Sequence, residues 1–92
     1  MSELLNPLRK KIDVIDAELV KLLAERAEIV MQVADIKAEH GLPAFIPERV
    51  EEVITQVRGL AEAQGMEPEL AERVWRAMIG WFIEFEEKHL GG

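Results

Sequence analysis

The groups in this sequence able to act on a substrate are cations and carboxylates. Arg26 and Lys37 stand eleven residues apart. On a helix that is close to three turns, so both side chains point the same way, roughly 16 Å apart along the axis. Two long cationic side chains leaning together can clamp a small dianion. Arg9 lies about 42 Å from Lys37 along the same helix, so one chain cannot bring both to one pocket, whereas an antiparallel second chain can. Arg49 opens a later helix beside Glu48. Glu86 comes four residues after Phe82 and seven after Ile79, and so continues an apolar row. A carboxyl against that surface can stay protonated and donate a hydrogen bond to an oxygen.

Each of these residues also has a plainer reading. Lys37 can be a surface lysine with its stem on apolar neighbours. Arg26 can pair across an interface with Glu25 or Glu28, and Arg9 can be a solvated member of the Arg9-Lys10-Lys11 run. Glu86 can belong to a frayed acidic end with Glu84 and Glu87. His40 and His89 read as solvated helix-end cations without metal-ligand spacing, so no metal is expected. The only serine, Ser2, falls in a start expected to be disordered, and the only other hydroxyl is Thr55. A Ser/His/Asp site is excluded, and no glycine loop for phosphate is present.

The element that must carry the cations runs from Asn6 to His40 without internal Gly, with Asn6 as N-cap, Pro7 in the first helical position and Gly41 beyond the end. Inside it, Leu8, Ile12, Ile15, Leu19, Leu22, Arg26, Ile29, Val33 and Ile36 recur at alternating steps of four and three, a coiled-coil seam. Arg26 is the one charge in that seam and needs an anion. Such a helix, roughly 50 Å long, overhangs a chain of this size, whose radius of gyration is about 12 Å. A homodimer that covers the seam is therefore expected. Gly41–Pro47 reads as a loop, and Pro47 starts a second helix with the stripe Val50, Val53, Ile54, Val57, Leu60 and Ala61. Gln64-Gly65 ends it, and Pro68 starts a third with the stripe Leu70, Ala71, Val74, Trp75, Met78, Ile79, Phe82 and Phe85. The expected fold is all-α, three helices (one long, two medium) in one domain spanning residues 1–92.

Ninety-two residues are near the lower limit for a lone core. A net charge of −7, with acids spread along the chain, disfavours nucleic acid. No apolar run approaches the ~20 residues of a membrane span. The absence of cysteine and of a signal-peptide start is compatible with a cytoplasmic location, the expectation here.

Taken together these positions resemble the all-helical chorismate mutases, the AroQ-type family, over nearly the whole chain. The residues that carry the resemblance are Leu8-Arg9-Lys10-Lys11-Ile12-Asp13-Val14-Ile15-Asp16, Leu22-Leu23-Ala24-Glu25-Arg26, Lys37 at the family's spacing, and Glu48-Arg49. The resemblance implies an intertwined homodimer with two equivalent sites. In each, Arg26 holds one carboxylate of a small dicarboxylate substrate and Arg9 of the other chain holds the second. Lys37 bonds the ether oxygen and a carboxylate, Glu86 faces the same ether oxygen, Arg49 is the helix-two arginine, and Phe82 and Ile83 line the pocket. The implied reaction is the Claisen rearrangement of chorismate to prephenate, a step of aromatic amino acid biosynthesis that needs no nucleophile and no cofactor.

The sequence departs from the family pattern at three places. Val50 stands where many mutases have the glutamate that receives the ring hydroxyl, and Glu48 substitutes only from another face. Phe82 stands where some have a small polar residue. Glu86 replaces the commoner glutamine, which makes activity rise as pH falls if protonation is required. Pro47-Glu48-Arg49-Val50 and Ile79-Gly80-Trp81-Phe82-Ile83 are similar to the isochorismate-pyruvate lyase branch, which makes salicylate. A 4-amino-4-deoxychorismate mutase is a third possibility, and a non-catalytic dimerisation or regulatory module a fourth. Mutase is placed first because the loop between Lys37 and Arg49 has ordinary mutase length.

Overall fold

The computed structural model describes residues 2–89. Three helices follow in order: α1 (Ser2–Glu39), α2 (Pro47–Ala63) and α3 (Pro68–His89). The described residues fall into two compact units, one ending at Gln32 and one beginning at Val33.

The first unit is helix alone. It starts at Ser2 with Pro7 inside it, four residues before the Asn6 cap expected from the sequence. A proline there removes one ladder bond, the one to the Glu3 carbonyl, close to an end that water can reach. Glu3 in the first turn complements the helix dipole. Ser2 accordingly belongs to the helix rather than to a disordered start. The expected seam lies open along this unit, with Leu8 57%, Ile12 55% and Ile15 58% exposed.

The second unit holds the end of α1 and the α2–α3 hairpin. Two glycines with positive φ, Gly41 (65°) and Gly65 (72°), stop α1 and α2. In each case the amide that follows the glycine bonds back five residues: Leu42 N–H to the Lys37 carbonyl at 2.8 Å, Met66 N–H to the Ala61 carbonyl at 2.9 Å. These are Schellman turns, which satisfy carbonyls the helix leaves unpaired. Pro47 and Pro68 begin α2 and α3, where a missing N–H costs nothing.

The hairpin packs through Val57, Ala61 and Ala71, with Val53 and Trp75 against them. Alanine on both helices lets the backbones approach. The row of α3 that is covered runs Ala71, Trp75, Met78, Phe82 and Glu86, whereas Leu70, Val74 and Phe85 of the expected stripe are exposed. A polar clasp, exposed at Arg76 and Glu51 and half-buried at Arg58 and Glu72, ties the hairpin along its edge. Arg76 bonds Glu51 at 2.9 Å and Glu72 at 2.7 Å, and Arg58 bonds Glu72 at 2.8 Å. Hydrogen bonds from Arg76 hold both carboxyls below the usual glutamate value and raise the guanidinium's own. No described helix is long and apolar enough to cross a membrane.

Candidate active site

Lys37 lies in the last turn of α1, where a cation complements the helix dipole. The Schellman turn then carries the chain round so that a loop carbonyl returns to the same side chain. Lys37 Nζ donates to the Ala44 carbonyl at 2.8 Å and to Glu86 Oε2 at 3.1 Å. The pair is largely shielded, with side-chain exposures of 14% for Lys37 and 5% for Glu86. Lys37 is therefore not a surface lysine. Glu86 is buried on α3, one turn beyond half-buried Phe82, and is held by an ammonium rather than by apolar neighbours alone.

Removing a carboxylate from water is expensive, and only a close cation with good hydrogen bonds makes it tolerable. The described residues leave no buried side-chain polar atom without a partner. An ammonium has three N–H donors, and Ala44 and Glu86 use two, so the third can turn to a ligand oxygen. A carboxyl beside it adds either an acceptor or, when protonated, a donor. This corner can hold an oxygen on which negative charge develops.

Lys37 and Glu86 are the sequence-derived candidates that the structure brings together. Arg9 is exposed and Arg26 half-buried on α1, in the unit that ends at Gln32. Arg49, in the first turn of α2, donates to the Glu52 carboxylate in the next turn, and both are exposed. Glu48 is exposed and Val50 half-buried. Phe82 and Ile83 are half-buried, and the Phe82 ring meets Trp81 edge-on at 5.1 Å. Trp81 also stacks on Phe85 at 5.3 Å.

Three partners escape the sequence reading. The Ala44 carbonyl carries no side-chain signature. Glu52 sits three residues after Arg49, a helical neighbour that spacing alone could have flagged. His89, read as a solvated helix-end cation, instead places Nε2 3.0 Å from Asp35 Oδ1. Its position three residues after Glu86 was the available signal. Among the described residues no cluster of His, Cys, Asp and Glu is suited to a metal.

Residues 8–87 match the family model described as chorismate mutase type II. The chain is 47% identical over 78 residues to the T-protein of Haemophilus influenzae, covering 84% of this chain and 20% of that protein. It is 34% identical over 79 residues to the chorismate mutase of Methanocaldococcus jannaschii, covering 86% of this chain and 80% of that one. It is 31% identical over 83 residues to the isochorismate pyruvate lyase of Pseudomonas aeruginosa, covering 89% and 80% respectively. The chain thus spans about a fifth of the length of the T-proteins it matches.

Proposed function

Because this chain belongs to the chorismate mutase type II family, we propose that it rearranges chorismate to prephenate. The observation that carries the reading is the shielded Lys37–Glu86 pair with a lysine N–H left for a ligand oxygen. In the rearrangement one C–O bond breaks and one C–C bond forms within a single molecule, and negative charge grows on the departing ether oxygen. Lys37 donates to that oxygen. Glu86 donates from its other side when protonated, since a carboxylate can only accept. Holding the folded, near-attack conformer supplies the remainder of the acceleration.

Arg26 binds one carboxylate of the substrate and Arg9 of a second chain binds the other. Arg49 and Glu48 lie at the mouth, and Val50, Phe82 and Ile83 form the apolar wall. This arrangement requires a homodimer. The open seam of α1 and the exposed Val74 and Trp81 of α3 support one, because apolar rows of this length are not left in water. Nothing in the reaction calls for a cofactor.

The test is a side-by-side assay with chorismate, isochorismate and 4-amino-4-deoxychorismate at pH 5 and pH 8. Prephenate formed fastest is the expected result. Salicylate and pyruvate formed faster would move the activity to the lyase that the Pseudomonas aeruginosa relative is named for. Absence of all three reactions would leave a dimerisation module.

A further inference from the structure

We propose that Asp35 and His89 are a positioning pair that sets the placement of Glu86 against Lys37; this rests on the reading of that site given above. His89 Nε2 lies 3.0 Å from Asp35 Oδ1. An ionised carboxylate only accepts, so Nε2 carries the proton and donates, which fixes the tautomer and ring orientation.

The pair forms the second of two rungs. Glu86 and His89 are three residues apart on α3 and share a face. Lys37 meets Glu86 and Asp35 meets His89, so partner numbers rise along α3 as they fall along α1. The inner rung is shielded, while the outer is open, with exposures of 39% for His89 and 65% for Asp35. Side chains rather than close backbone packing join the two ends. Glu86 stands in the last turn of α3, whose carbonyls lack helical partners and which frays unless tied down. Lys37 tethers that turn at one point, through its 3.1 Å contact with Glu86. The outer rung supplies a second, and two tethers one helical turn apart fix an orientation that one leaves free. An exposed pair adds little to global stability, so its effect falls on geometry.

The test uses Asp35→Ala, His89→Ala, their combination, and His89→Gln, which keeps a donor at similar reach. With chorismate, each alanine variant should lower kcat about two- to fivefold, the kinetic equivalent of one exposed charge-assisted hydrogen bond. KM should hold, because Lys37 and Glu86 act on the breaking bond. The combined variant should be no worse than either alone, and His89→Gln should recover most of the rate. The second readout is hydrogen exchange of the Lys37 ammonium by NMR, which does not depend on turnover. It should quicken in both alanine variants and not in His89→Gln. Unchanged kcat and unchanged exchange in the alanine variants, or additive losses in the combination, overturn the proposal. A wild-type chain without any rearrangement activity would refute the functional reading instead, and the Lys37 exchange alone would then decide whether the pair positions its neighbour.

Discussion

Replacing Lys37 by methionine separates what the shielded pair does for folding from what it does for chemistry. Methionine keeps the length and apolar stem but leaves the Glu86 carboxylate, 4% exposed, without the cation beside it. Breaking a buried pair by removing one partner costs about 3–5 kcal/mol. A carboxyl can escape part of that cost by taking up a proton. For an ordinary glutamate that escape costs about 1.4 kcal/mol per pH unit above ~4.3, hence about 3.7 kcal/mol at pH 7 and about 1 kcal/mol at pH 5. Lys37→Met should therefore destabilise by about 3–4 kcal/mol at pH 7 and by only about 1 kcal/mol at pH 5. Adding Glu86→Gln removes the stranded charge, so the double variant should regain most of the stability and lose the pH dependence. Urea unfolding at one fixed protein concentration measures this, because dissociation of the proposed dimer would be linked to unfolding. Activity should behave differently. Losing one donor to a developing oxyanion costs about 10²–10³ in kcat, and the double variant should not recover it. Equal losses of stability at the two pH values, or recovery of kcat in the double variant, would refute the reasoning.

Glu86→Gln should keep or raise the rate at pH 8, because an amide donates a hydrogen bond from that position whereas an ionised carboxylate only accepts; steady-state kinetics at pH 8 decides it. Arg26→Leu should abolish turnover while leaving the dimer at least as stable, since a leucine suits the seam better than a charge; turnover and sedimentation read the two effects. Glu51 and Glu72, held below 4.5 by Arg76, contribute stability that is present above that value and lost as pH falls through their native pKa values, so the melting temperatures of wild type and Arg76→Gln should converge in acid.

Local signals made most of the fold legible. Pro47 and Pro68 open α2 and α3, and Gly41 and Gly65 close the helices before them, because each needs only the chain within a few residues. The start of α1 misled because a proline suits the first turn best yet costs one ladder bond anywhere near an end. The expected stripe of α3 spans two adjacent apolar rows, of which packing covers Ala71, Trp75, Met78, Ile79 and Phe82 and leaves Leu70, Val74 and Phe85 exposed, a choice that periodicity alone does not make. Of the site, Lys37 and Glu86 were recognisable through family resemblance, whereas the residues alone allowed a surface lysine and a frayed acid. The Ala44 carbonyl and the Asp35–His89 pair depend on residues 7 and 54 apart meeting in space, which no periodicity encodes.

The claim at the centre is that two chains complete each site, one with Arg26 and Lys37, the other with Arg9. Arg9→Ala and Arg26→Leu proteins, each inactive alone, should be unfolded, mixed and refolded together. Half the resulting dimers carry both substitutions, and one of the two sites in each is then intact, so activity should return to about a quarter of wild type. A mixture as inactive as its parents would contradict the account.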